Sequence, residues 1–478
     1  MAHAGCKRND EQTDAGVRGR SDESRPNIVM ISIDTLRSDH LGSYGYDRDT
    51  SPRIDRLATE GALFENMISS TSWTLPAHCA LFTGLSDSVH GCVSLNHRLH
   101  VSRVTLAETL NSAGYHTAGF FSGPAMHPVF GVSQGFDEYV DCTSFAERTM
   151  RTLAGGKSLD AIRLASHADI TNPRVYERVR AWLRRKLQRP FFLFIHMWDV
   201  HADYIPPAPY DKMFDPDYDG PITGEDFATD PSINADMPAR DLEHLVALYD
   251  GEIAWTDHHV GLILDELDAL GLRDSTLVTL LSDHGDEHFE HGRKGHHQTL
   301  FDEVIRVPLV IRFPGRVPAG NRFAVQVRMI DVLPTILDLA GLSKPDKLMG
   351  QSLSPLFSGG QLKDDTIAVS ELYSEGNRLR SFRRLGRKLI YDERVRKGWA
   401  FDLENDPLEK NPLQGPDDPT LQALVADAQA ASKRLANFRT AVGVSSAPAG
   451  ALPEKVRRQL QRLGYIGTDG EDTETKSP

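Results

Sequence analysis

Asn27-Ile-Val-Met-Ile-Ser-Ile33 is a continuous apolar run of strand length, and it ends at a carboxylate, Asp34. A strand that is apolar at successive positions has no face to offer water. It belongs inside a sheet covered on both sides, as parallel sheets are. Residues 117–121, 191–198, 275–282 and 307–313 repeat the pattern. Helical stretches lie between them. One is 104–113, and 241–271 is long and amphipathic, with Leu245, Leu248, Tyr249, Ile253, Val260, Leu264 and Leu267 at helical spacing. Strand alternating with helix predicts an α/β fold built on an open, mostly parallel sheet with helices on its faces. In such sheets functional groups gather just beyond the carboxyl ends of the strands.

After about Pro355 the pattern loosens. Short strands over 371–373, 387–391 and 399–402, with helices over 421–438 and 455–463, predict a smaller C-terminal α+β subdomain. The expected organisation is a disordered tail over 1–25, a catalytic domain over 26–360, the subdomain over 361–467 and a second disordered tail over 468–478. Within the first tail, Ala4-Gly5-Cys6 before a polar tether resembles the mature end of a bacterial lipoprotein; the plainer reading is a chance cysteine. No basic segment followed by an apolar stretch precedes it, so the chain as written reads as cytoplasmic, and as exported or lipid-anchored if its start is misplaced.

Charge and cysteine content narrow the function. The 478 residues carry 53 Lys and Arg against 67 Asp and Glu, a net charge of −14, which argues against nucleic acid or an anionic membrane as the main partner. No apolar run approaches the roughly 20 residues needed to cross a bilayer. Four cysteines in this length make no disulfide scaffold. What remains is a soluble, enzyme-sized protein.

Polar residues stand where the strands end. Asp34 closes the first, and Asp283 and His284 close the run that reaches Ser282. The segment from Thr74 to Thr83 carries Pro76 early and Gly84 just after, the asymmetry of a helix beginning at Thr74. A hydroxyl at a helix N-terminus is well placed as an anion-facing nucleophile, because free N–H groups and the helix dipole stabilise negative charge there. Asp34, Thr74, Asp283 and His284 together suit one divalent cation. The oxygen donors favour Mn, Mg or Ca, and the histidine admits Zn.

Residues 27–45, the Thr74–Gly84 segment and Ser282-Asp-His-Gly-Asp286 resemble the sulfatase family of the alkaline phosphatase superfamily. Tyr249-Asp-Gly-Glu-Ile253, Arg306-Val-Pro-Leu-Val310, Asp331-Val-Leu-Pro-Thr335 and Phe401-Asp-Leu-Glu-Asn-Asp-Pro407 extend the resemblance in order along the chain. It implies a large mixed sheet between helices followed by a smaller C-terminal sheet domain. It also implies that Asp34, Asp283 and His284 are metal ligands. His201 would face the substrate's ester group, and His296, or its neighbour His297, would be a second anion-facing residue.

Departures from the family pattern carry the functional reading. Sulfatases have Cys or Ser followed by x-Pro-Ser-Arg, and oxidise the first residue to formylglycine. Here the segment reads Thr74-Leu-Pro-Ala-His78, with His78 at the Arg position and counted with Thr74 and His201 as catalytic. Formylglycine is not expected at a threonine. The second aspartate usual after the first is Thr35, and Ser122-Gly-Pro-Ala-Met-His127 stands in place of a Gly-Lys-x-His element. A hydrated aldehyde expels sulfate by collapsing to the carbonyl; threonine lacks the second hydroxyl for that exit, yet can still attack phosphorus. Threonine nucleophiles are typical of the superfamily's pyrophosphatases and head-group transferases. The histidine-rich stretch from His284 to His291 offers ligands for a second metal, but is read as a solvated loop. The expected activity is metal-dependent hydrolysis of anionic esters, phosphate or phosphonate favoured over sulfate. The alternatives are an arylsulfatase-like sulfuric ester hydrolase, a phosphoryl head-group transferase and a non-catalytic binding protein.

Overall fold

The computed structural model describes residues 25–143, 171–185, 190–362, 367–374, 376–415, 418–443, 447–462 and 465–466. The two expected tails, Arg25 apart, lie outside the described residues.

Eight strands form the main sheet: β1 (Asn27–Ile33), β2 (Ala62–Ile68), β3 (His116–Phe121), β4 (Glu138–Asp141), β5 (Phe191–Met197), β6 (Thr276–Ser282), β7 (Arg306–Arg312) and β8 (Asn321–Arg328), in the order β8-β2-β7-β6-β1-β5-β3-β4. β7 runs against both neighbours, β2 and β6. The other adjacent pairs are parallel. The sheet is therefore mixed and mostly parallel.

Alternation along β1 explains why it is apolar at successive positions. Ile28 and Met30 enter one core with α2 (Thr74–Thr83), α3 (Leu106–Ser112) and α6 (Val332–Leu339). Val29, Ile31 and Ile33 enter the opposite core with α1 (Pro52–Glu60), α4 (Asn172–Leu183) and α5 (Ala239–Ala269). Each fully buried Ile or Leu contributes about 1.5–3 kcal/mol, so both layers are held by burial rather than by helix propensity. Local signals set the ends: Thr105 and Glu108 close a capping box at α3, and Gly84 takes the left-handed position after α2.

The C-terminal part is a four-stranded antiparallel sheet, β9 (Ala368–Tyr373), β10 (Arg378–Arg384), β11 (Arg387–Asp392) and β12 (Lys397–Asp402), covered by α7 (Pro419–Val442). Sequence patterning missed β10 because arginines occupy four of its seven positions. One of them, Arg383, pairs with Asp302 at 2.8 Å, where the buried Lys388 also binds, tying this sheet to the main one. After α7 the chain pairs Ala447–Pro448 with His97–Arg98, forms α8 (Glu454–Arg462) and returns to the main domain. No helix among the described residues is long and apolar enough to cross a membrane.

Candidate active site

Strand register brings the site together. Ile33 pairs with Ser282 on one side and with Met197 on the other, so Asp34, Asp283 and the segment after β5 emerge side by side at the carboxyl edge. The Asp34 amide donates to the Met197 carbonyl at 2.9 Å, which extends the sheet pairing to the carboxylate itself.

Asp34, Asp283 and His284 are buried, with one ligand atom of each within 4.8 Å of the others. Nδ1 of His284 donates to the Gly285 carbonyl at 3.0 Å, which leaves Nε2 as a lone pair. That nitrogen stands 3.6 Å from Oδ1 of Asp34 and 3.5 Å from Oδ2 of Asp283. Both of those carboxylate oxygens lack a hydrogen-bond partner among the described residues. Buried oxygens of two acids facing one imidazole lone pair are the donor set of a divalent cation, and the residues fit that group. Burial opposes the charge on Asp34, but His196, His201 and His284 hold its pKa well below the carboxylate range. Asp283 is pushed the other way, by burial and then by the Asp34 charge. Burial, and then the neighbouring His296, lower His284 to about 3.

Thr74 is the first residue of α2, whose ten residues are all buried and whose N-terminus has no side-chain cap. Pro76 brings no N–H, so the unpaired donors are few, and a buried helix end with an uncapped dipole favours an anion. The Thr74 hydroxyl lies 3.3 Å from Nε2 of His284 and 3.5 Å from Oδ2 of Asp34.

His201 and His296 converge on the open side. Nδ1 of His201 donates to the Ala202 carbonyl at 2.6 Å, and Nδ1 of His296 pairs with Oδ1 of Asp286 at 2.6 Å. Burial lowers the pKa of His201; for His296 burial is outweighed by the Asp286 charge, and the pKa rises. The two rings lie 5.0 Å apart, and His296 packs 4.5 Å from His284.

Three expectations change. Of the two neighbouring histidines, His296 faces the site, while His297 turns its ring onto Trp73, 4.7 Å away. His78, expected to be catalytic, is fully buried behind Thr74. Nδ1 donates to the Thr74 carbonyl one turn back at 2.8 Å, Nε2 meets Ser32 at 3.0 Å, and burial lowers its pKa to about 3. It braces the first turn of α2 from below. The histidine-rich stretch is no solvated loop: His288 is buried against Tyr204 and Tyr249, and His291 pairs with Glu303 at 2.5 Å.

Other residues of the site escaped sequence reasoning. His196 sits inside the apolar run of β5, yet its Nε2 points at Asp34, 3.5 Å away. Asp286 orients His296 and accepts from the Tyr204 hydroxyl at 2.6 Å. Tyr465, beyond α8, places its hydroxyl 3.1 Å from Nε2 of His201 and 2.8 Å from Nε2 of His296. Together with Asp34, Thr74, His196, Trp198 and His201 it lines a cavity of about 10 Å³. Gly123–Ala125 also border that cavity, whereas Nδ1 of His127 is engaged by the Val129 amide.

Comparison with known proteins identifies the family and the fold. Residues 26–342 match the sulfatase family model, and residues 290–438 match that of the N-sulphoglucosamine sulphohydrolase C-terminal region. The chain is 26% identical over 434 residues to an arylsulfatase of Clostridium perfringens, covering 80% of this chain and 89% of that protein. It is 27% identical over 478 residues to a choline-sulfatase of Rhizobium meliloti, covering 91% and 92%. Its fold matches the phosphonate monoester hydrolase of Agrobacterium radiobacter with a TM-score of 0.69 at 23% identity, over 93% of this chain and 99% of that one. The chain belongs to the sulfatase family, within the alkaline phosphatase superfamily, and is an ester-hydrolysing enzyme.

Proposed function

We propose that the enzyme hydrolyses phosphate or phosphonate esters through a threonine nucleophile, Thr74. The observation that carries this reading is the Thr74 hydroxyl, 3.3 Å from His284 and 3.5 Å from Asp34 at an uncapped, buried helix N-terminus. Asp34, Asp283 and His284 would hold one divalent cation. A cation bound there neutralises the anionic ester and lowers the pKa of a nearby hydroxyl.

With its pKa lowered in this way, the Thr74 hydroxyl would lose its proton to solvent, and its oxygen would form a bond to phosphorus as the bond from phosphorus to the alcohol oxygen breaks. His296, held by Asp286, and His201 stabilise the transferring group or protonate the departing oxygen. Water then attacks phosphorus, releases the phosphate or phosphonate and restores the hydroxyl. The same hydroxyl is a poor catalyst for sulfate esters, because threonine cannot expel sulfate by collapse to an aldehyde.

Initial rates on nitrophenyl phosphate, bis-nitrophenyl phosphate, nitrophenyl phenylphosphonate and nitrophenyl sulfate, with Mn, Mg, Ca or Zn added in turn, test this. Turnover of phosphorus esters should vanish in Thr74→Ala, and acid-quenched wild type should carry phosphate on Thr74 by mass spectrometry. Sulfate turnover that survives Thr74→Ala overturns the reading.

A further inference from the structure

We propose that Tyr465 occupies the ester-binding face of the active site and competes with substrate for it, so that the enzyme folds in a self-occluded form. The inference rests on the reading that esters bind between Thr74, His201 and His296.

The argument begins with what the two imidazoles have left to offer. Each ring is already oriented through Nδ1, His201 by the Ala202 carbonyl and His296 by Asp286. Neither needs a further partner to hold its position. Only the Nε2 atoms remain to meet an ester oxygen, and one hydroxyl, that of Tyr465, engages both at 3.1 and 2.8 Å. A substrate oxygen that hydrogen-bonds His201 and His296 must take the place of that hydroxyl.

Space gives the same answer. With Tyr465 in place, the cavity beside Thr74 and Asp34 is about 10 Å³, room for about one water rather than a tetrahedral phosphoryl group. On the far side of the Tyr465 ring lies a pocket of about 160 Å³, bordered by His201, His296, Phe227 and Lys294. Tyr465 and His201 are common to both linings, so the tyrosine stands with His201 between the nucleophile and the volume able to take the rest of an ester.

The contact is built into the fold. Val456 and Leu460 on α8 and Ile466 beyond it are buried in the same core as α2, so apolar anchors flank the tyrosine on both sides. Lys455 pairs with Asp141 at 2.8 Å, and Ala447–Pro448 pairs with His97–Arg98. Those anchors fix the segment, whereas the hydroxyl itself is held by two hydrogen bonds. Breaking two such bonds withholds the binding-competent form by about tenfold or more.

Calorimetric titration of the full-length, Mn-supplemented protein with inorganic phosphate and, separately, inorganic sulfate tests the proposal. Tyr465→Phe removes the hydroxyl and keeps the ring; Tyr465→Ala removes both. Phosphate should bind about tenfold more tightly to Tyr465→Phe than to wild type. On nitrophenyl phosphate the same variant should lower KM by a similar factor. A gain for sulfate in place of phosphate overturns the phosphorus preference and supports the occlusion. Unchanged or weaker binding of both anions to both variants overturns the occlusion, as does a fall in kcat at constant KM, which makes Tyr465 a working part of the site.

Discussion

The amide of Thr35 donates to Oδ1 of Asp283 at 3.3 Å, joining the ends of two neighbouring strands. Thr35 holds a φ of 53°, a left-handed setting that costs a β-branched residue on the order of 1–3 kcal/mol. The Tyr249 hydroxyl donates to its carbonyl at 2.8 Å, so both polar backbone groups of the strained turn are fixed. The turn in this way leaves Oδ2 of Asp283 facing His284 and Asp34. Thr35 stands where sulfatases usually have a second aspartate, and its buried hydroxyl has no hydrogen-bond partner among the described residues.

Thr35→Asp should therefore make the apo protein worse and the metal-bound protein better. A third buried carboxylate beside Asp34 and Asp283 adds repulsion when no cation is present, and adds a hard oxygen ligand when one is. In EDTA the variant should melt below wild type by at least about 2 °C per kcal/mol of added repulsion. Excess Mn should narrow or reverse the gap. An identical gap under both conditions would show that residue 35 does not face the cation.

His296 and His297 are neighbours in sequence with opposite surroundings, which makes them a matched pair. His296→Gln removes the ring held by Asp286 next to His284, and kcat should fall by about 10²-fold. His297→Gln alters a ring packed at a tilt against Trp73, and kcat should stay within about threefold. Steady-state kinetics on one nitrophenyl ester decides it. The reverse ranking would mean that the substrate approaches from the Trp73 side.

The parts of the site legible in the sequence are those fixed by strand ends. A buried parallel strand must stop at a polar residue near the carboxyl edge, which is why Asp34, Asp283 and His284 could be picked out. The start of α2 was legible from Pro76 and Gly84. Motif position alone misled at His78, because spacing places a side chain along a helix without saying which side faces solvent. His196 hid in an apolar run, and Tyr465 reaches the site from 264 residues beyond His201, a contact no local pattern encodes. Among strands, β2 carries Glu65-Asn66 in its middle and β8 is a half-exposed edge strand, so neither shows the unbroken apolar run that marked β1.

Glu290 gives a pH signature for the segment that carries Asp286. Its carboxylate meets the buried Arg37 at 2.5 Å, and Arg37 in turn donates to the Asp286 carbonyl at 3.0 Å. Burial opposes its charge, but Arg37 and His288 lower its pKa to about 2. A depressed folded pKa gives stability that is present above the unfolded value near 4.5 and is lost as pH falls through about 2. Glu290→Gln should cost about 1–3 kcal/mol at pH 7, less than a fully orphaned pair because Asp39 still binds Arg37. Urea denaturation across pH should show that difference shrinking below about 4.5. A pH-independent difference would mean that the ion pair is not what the substitution removes.

Asp283→Asn separates the cost of the metal site from its use. The side chain keeps its shape but loses the charge that burial and Asp34 both oppose. In EDTA the variant should be more stable than wild type by about 1–3 kcal/mol, because one of two facing buried carboxylates has become neutral. Wild type should gain about 4 kcal/mol from a cation at a thousandfold excess over its Kd, and the variant should gain far less. The two stabilities should then cross as Mn is added, with activity following the wild-type curve alone. If Asp283→Asn is already less stable in EDTA, the Asp283 carboxylate is held by protein contacts rather than waiting for a cation, and the ligand set built on Asp34, Asp283 and His284 falls.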